Sequence, residues 1–203
     1  MVSGNKDVRK DVKDLKIGEK IMALRKSKGY SLKEVADRSG LSEAVISQIE
    51  DDVVSPPIAT LLKISKILGA EIAYFFSEGK SDKKFDIVRG NERRKVERKL
   101  PQRKIMPLSY SYEMLSAHRK ENHMQPFLVE FDINVEEEIN PMSHEGEEFL
   151  FLLEGELEYK LENEVITLKK GDSLYFDSKT PHAFRGIGKI KPKAVVVIYT
   201  PKE

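Results

Sequence analysis

The stretch SLKEVADRSGLSEAVISQIE, residues 31–50, constrains the fold more than any other part of the chain. Ser31 and Glu34 have the spacing of a capping box, in which the hydroxyl takes an orphan N–H of the first turn and the carboxylate reaches back, so a helix starts at Ser31. Leu32, Val35 and Ala36 form its inner stripe, and Gly40 follows as the residue best able to leave a helix with positive φ. Leu41 fills the corner, and Ser42 caps a second helix that buries Val45, Ile46 and Ile49.

Two short helices joined by a tight glycine turn make a helix-turn-helix, although capping and periodicity alone also describe a plain αα-hairpin. The flanks add to the motif. Ile17, Ile21 and Leu24 give a preceding amphipathic helix, and Pro56-Pro57 introduces a following one carrying Ile58, Leu61, Leu62, Ile64, Ile67 and Leu68, closed by Gly69. Ile72, Tyr74, Phe75 and Phe76 suggest a fifth, short helix. The expectation is an all-α domain over residues 1–77.

With 203 residues there is room for two modest domains, and 39% hydrophobic content suits a globular chain. Without cysteine, neither disulfides nor thiolate metal sites are available. The opening MVSGNKDVRKDVKDLK has no apolar core to act as a signal peptide, and no run is long enough to span a membrane, so a cytoplasmic location is expected. Residues 1–80 hold 14 Lys+Arg against 12 Asp+Glu, residues 83–104 hold 10 against 3, and residues 105–203 hold 11 against 18. The basic segment could attract phosphate. We read it instead as the first strands of the next domain, because Phe85-Asp86-Ile87-Val88 alternates, with its charges paired to the acidic remainder. The linker is then residues 78–82 and the second domain residues 83–203.

From Tyr110 onward the periodicity is that of strands. Tyr110 and Tyr112 alternate, PFLVEF (126–131) and EFLFLLEGELEYKL (148–161) follow, and Leu174-Tyr175-Phe176 and residues 194–199 are rich in β-formers. Gly155, Asn163, Gly171, Pro181 and Gly186 punctuate them, which implies a β-sandwich or small barrel. Within it His144, Glu148 and His182 offer two imidazoles and a carboxylate. Pointed into one cavity they make the facial triad suited to Fe(II), or a site for Mn, Ni or Zn. Glu145 and Glu147 read as solvated neighbours. Tyr110, Tyr112, Phe149 and Phe184 either fill the barrel or line a ligand pocket, since both use the same residue types.

Residues 17–76 resemble the Cro and phage-repressor (XRE) type of helix-turn-helix domain. That resemblance implies a second motif helix lying in the DNA major groove, with Glu43, Ala44, Ser47 and Gln48 facing bases, Lys33, Arg38 and the Ser31 cap near phosphates, and Ser42 also on the DNA-binding side. Gln48 could bond adenine through both amide atoms, Glu43 could accept from cytosine and Ala44 could touch a thymine methyl. The resemblance also implies an internal ion pair between Arg25 and Glu50. Asp51-Asp52 departs from the family pattern and would place two carboxylates near the phosphate path.

SHEGEEFLFLLEGELE followed by GDSLYFDSKTPHAF is similar to the two cupin motifs. The likeness implies an all-β double-stranded β-helix, or jelly roll, with His144, Glu148 and His182 on ligand positions and Met142 where many cupins have a further His. The stretch from Tyr110 to Phe184 also resembles the iron-dependent hydroxypropylphosphonate epoxidase, whose ligand set is His, Glu, His and whose substrate lies near two tyrosines matched by Tyr110 and Tyr112. Pro141 departs from that pattern, standing where a polar residue near the substrate is expected.

Two functions are therefore expected to compete. The first is a sequence-specific transcription regulator that binds a double-stranded operator as a homodimer, with a cupin domain that dimerises and senses a small-molecule effector. The second is a mononuclear non-haem iron oxygenase or epoxidase acting on a small anion such as a phosphonate, with the helical domain architectural.

Overall fold

The computed structural model describes residues 15–76, 82–97, 109–116, 118–119, 122–133 and 140–201. Five helices come first among these residues: α1 (Ile17–Ser27), α2 (Leu32–Ser39), α3 (Glu43–Glu50), α4 (Ile58–Ile67) and α5 (Ala73–Phe76). The capping box forms, with the Ser31 hydroxyl accepting from Glu34 N at 3.1 Å and the Glu34 carboxylate accepting from Ser31 N at 2.7 Å. Gly40 leaves α2 at φ 72°, and Ser42 Oγ accepts from Val45 N at 3.3 Å to start α3. Ile21, Val35, Ile46, Ile49, Leu61 and Ile64 are buried together, so the stripes read from spacing meet in one core. At Gly18 a Cβ would lie 2.2 Å from the Ile49 carbonyl oxygen, which is why α1 can cross α3 so closely.

Among the described residues the β part has nine strands: β1 (Lys95–Val96), β2 (Tyr110–Met114), β3 (Met124–Phe131), β4 (Glu147–Glu154), β5 (Glu156–Leu161), β6 (Glu164–Lys169), β7 (Ser173–Asp177), β8 (His182–Ile187) and β9 (Lys193–Tyr199). They form a six-stranded antiparallel sheet in the order β1-β2-β3-β9-β4-β7 and a three-stranded one in the order β6-β5-β8. The long apolar run from 148 to 161 is cut at Gly155, where the chain passes from the first sheet to the second at φ 76°. A side chain there would meet Pro192 Cα at 2.8 Å. Phe127, Val129, Leu150, Leu152, Tyr159, Val196 and Ile198 alternate inward and fill the space between the sheets.

Phe85-Asp86-Ile87-Val88 is not a strand. Phe85 and Ile87 share a side, but they are 62% and 53% exposed, and Asp86 accepts from Ser116 Oγ and His118 N instead. Without a sheet to cover its apolar side, alternation does not make a strand. The first strand in the basic segment is β1, whose Lys95 pairs with Glu130 at 3.4 Å. Residues 78–81 of the expected linker and residues 1–14 fall outside the described residues.

The helical and β parts pack against each other. Tyr112 Oη donates to the Pro56 carbonyl at 2.8 Å, Ile58 N donates to Tyr110 Oη at 3.1 Å, and Ser55 Oγ donates to the Glu97 carbonyl at 2.7 Å. The Phe76 ring lies 6.1 Å from that of Tyr112 and 6.2 Å from that of Phe127. At the rim, Lys66 pairs with Glu145 at 2.7 Å.

Candidate metal centre and nucleic-acid interface

Strand alternation aims Glu148 inward from β4, beside Phe176 of β7 and Ile198 of β9. His144, in the approach to β4, is held by its N–H on the Ser178 carbonyl at 3.0 Å. His182 opens β8 after Pro181, and exchanges both backbone hydrogen bonds with Met142 at 2.9 Å. The three side chains are buried, and one ligand atom from each lies within 4.8 Å of the others.

Hydrogen bonding sets the ring nitrogens. His182 Nδ1 lies 2.9 Å from the Thr180 carbonyl and is assigned the proton, whereas His144 has Nδ1 at 3.4 Å from the Glu145 carbonyl and Nε2 closer to a carboxylate, so without a cation its proton belongs on Nε2. Both Nε2 atoms face Glu148 Oε2, at 3.1 Å from His144 and 3.8 Å from His182. Three acceptors turned on one point repel one another unless a cation or proton sits among them. Burial pushes the His182 imidazole below its ordinary pKa, against the opposing pull of Glu148, and so favours the neutral ring that can ligate a metal. The donor set therefore fits a divalent ion, bound on one face with positions left open. Met142 lines the same cavity and supplies no nitrogen or oxygen donor.

That cavity encloses about 290 Å³, near the lower end of the range of roughly 300–1,000 Å³ usual for small-molecule sites. Of the expected pocket residues, Tyr110 and Phe184 line it. Tyr112 lies behind Tyr110, fully buried, with its hydroxyl spent on Pro56. Phe149 does not line it: next to inward Glu148 on a strand, it must point outward, and it is 37% exposed on the other face of the sheet. The expectation of Glu148 and Phe149 in one cavity conflicts with strand alternation. Val129, Phe131 and Ile198 also line the cavity and were legible as alternating positions; Pro57, Ile58 and Ala59, from the helical domain, carried no sequence signal of that role.

On the helical domain, Ser31, Lys33, Arg38, Ser42, Glu43 and Ala44 are exposed, while Ser47 and Gln48 are half-buried. Lys33 pairs with Asp37 at 2.8 Å, and Arg38 lies over the Tyr30 ring at 4.6 Å. Gln48 Oε1 is buried with no hydrogen bond among the described residues, so as placed it does not offer both amide atoms outward. Arg25 and Glu50 form the expected pair, with Nε–Oε1 at 2.6 Å and Nη2–Oε2 at 2.7 Å. Asp52 does not lie free toward a phosphate path. Its carboxylate accepts from Gly18 N at 3.1 Å, in the first turn of α1.

Comparison with known proteins follows the same division. Residues 21–75 match the helix-turn-helix family model and residues 129–199 match the cupin domain model. The HTH-type transcriptional regulator PuuR of Escherichia coli (strain K12) is 28% identical over 178 residues, covering 82% of this chain and 85% of PuuR. The crystal structure of an HTH_3 family transcriptional regulator from Vibrio cholerae superposes with a TM-score of 0.63 at 24% identity, covering 95% of this chain and 99% of that one. An Fe(II) form of HppE in complex with substrate superposes with a TM-score of 0.50 at 20% identity, covering 91% of this chain and 98% of that one, a likeness of fold alone. The chain is a helix-turn-helix domain of the Cro and phage-repressor (XRE) type joined to a C-terminal cupin domain.

Proposed function

We propose that the protein is a DNA-binding transcription regulator that reads an operator as a homodimer and senses a small molecule in its cupin cavity. The observation that carries this is α3, capped and packed by its base while Glu43 and Ala44 stand exposed at its N-terminal end, as a major-groove reader requires. The length over which the chain resembles PuuR supports the same reading. Two copies are needed because one such domain contacts too little DNA for strong specificity. The outer face of the six-stranded sheet suits that pairing: Phe149, Phe151, Tyr175 and Tyr199 are 37%, 38%, 64% and 40% exposed on adjacent strands. A divalent ion held by His144, Glu148 and His182 would supply positive charge and open coordination positions for an effector, while the chain's own residues enclose and orient it.

An oxygenase acting on a small anion such as a phosphonate is the second reading, favoured by the triad. Against it, no Lys or Arg lines the cavity among the described residues to neutralise a dianion.

The test is selection of genomic DNA fragments by the purified chain at low and moderate salt, with and without Fe(II), beside the His182→Ala variant. An inverted repeat retained at moderate salt is expected for the regulator. Retention only at low salt and without a common sequence would overturn it. His182→Ala is expected to lose stoichiometric metal, and unchanged metal content would remove His182 from the ligand set.

A further inference from the structure

The connection from α3 to α4 starts at the surface, with Asp51 and Val53 exposed, but its second half is buried where such connections ordinarily run over the surface. Every residue from Val54 to Leu61 is buried. At one end Val53 N and Val54 N both donate to the Gln48 carbonyl, at 2.9 and 3.1 Å, which ties the connection to α3. In the middle Ser55 and Pro56 are bonded to Glu97 and Tyr112 of the β part, and Pro56-Pro57 has little backbone freedom. At the other end Pro57, Ile58 and Ala59 line the same cavity as His144, Glu148 and His182.

We propose that the molecule held in the cupin cavity touches the helix-turn-helix domain directly, at the first turn of α4, and that this contact sets the position of α3. The ligand class that fits is a small amphiphile with one anionic oxygen donor for the metal and an apolar body against Ile58 and Ala59. This rests on the regulator reading. Two neutral imidazoles and one carboxylate leave a divalent ion with net positive charge, which calls for an anionic donor. The remaining wall, including Val129, Phe131 and Ile198, calls for hydrocarbon, and about 290 Å³ limits its size. A body long enough to reach α4 displaces a short, stiff, hydrogen-bonded connection whose far end is the reading helix.

The chain has no cysteine, so Ala59→Cys puts a single thiol in the cavity wall. Alkyl methanethiosulfonates then tether an occupant: the thiolate attacks the sulfenyl sulfur, a mixed disulfide forms and methanesulfinate leaves. Affinity is read on the inverted repeat selected by the wild-type chain, together with amide exchange of α3, which needs no DNA. The butyl adduct is expected to shift operator affinity by about tenfold or more, the methyl adduct by less, and thiol reductant to reverse both. Lys63→Cys, on the exposed side of α4, is expected to change by less than about twofold on labelling. Ala183→Cys, on the β8 wall of the cavity, repeats the experiment should the first variant not fold. Full butyl labelling that leaves both affinity and α3 exchange unchanged overturns the proposal, as does a wall thiol that resists the reagent while Lys63→Cys reacts fully. Mn(II) with hexanoate is expected to slow labelling of Ala59→Cys beyond Mn(II) alone, and no protection by any monocarboxylate from acetate to octanoate overturns the ligand class. If the wild-type chain retains no specific DNA, the regulator reading falls by itself, and α3 exchange still decides the contact.

Discussion

Charged residues in the helical domain differ widely in what they contribute, and burial decides it. Lys16–Glu19 and Lys33–Asp37 are paired at 2.9 and 2.8 Å but are at least 60% exposed, so solvent screening leaves each contributing little. Arg25 and Glu50 are 9% and 3% exposed, so neither can lose its partner cheaply. Glu50→Ala should destabilise the helical domain by about 3–5 kcal/mol, measured by urea unfolding, because it strands a buried guanidinium. Ser31→Ala should cost about 1 kcal/mol by loss of the cap. Hydrogen bonds from Ser31 hold the Glu34 carboxyl below its ordinary pKa. A carboxyl lowered in the folded state contributes stability above its unfolded pKa and loses it as pH falls through the folded value. The stability difference between wild type and Ser31→Ala should therefore shrink on acidification below the usual carboxylate range. The capping box and the ion-pair partners were legible because both are matters of residue type at fixed spacing. The role of Asp52 was not, because it depends on where α1 crosses α3.

Among the elements, β4 shows what alternation settles and what it leaves open. Its even-numbered positions carry Glu148, Leu150 and Leu152 inward and its odd-numbered ones carry Phe149 and Phe151 outward, a pattern written plainly in the sequence. Applied strictly, it removes Phe149 from the pocket and gives it to the outer face, where Tyr175 and Val197 lie on either side. Phe149→Glu should break the proposed homodimer into monomers in sedimentation while leaving metal content unchanged, since the substitution faces away from His144 and His182. Loss of metal together with the dimer would place the residue's effect inside the barrel instead. Periodicity also gave five helices and most strands, but not the irregular course of Phe85–Val88, where the deciding fact is the absence of a neighbour to pair with.

At the scale of the whole molecule, the seam between helices and sheets was the part least legible in the sequence. Tyr110 and Tyr112, expected either to fill the barrel or to line a pocket, both spend their hydroxyls on the backbone of residues 56–58. Nothing in local spacing indicates a partner more than 50 residues away. Tyr112→Phe should lower the urea midpoint by the equivalent of about 1–2 kcal/mol, because the Pro56 carbonyl is left buried without its donor. A change confined to the cupin transition, with the helical domain untouched, would show that the seam carries no coupling. The sheet order has a consequence in time. β9 follows every other strand in the chain, yet it lies between β3 and β4 in the middle of the larger sheet. During synthesis the helical domain, whose packing partners are near in sequence, can form first, while β3 and β4 wait with open edges for a strand not yet made. The helical domain thus exists for a while before the β domain is complete, and a chain interrupted short of Lys193 would leave one edge of each of two apolar strands open to its neighbours.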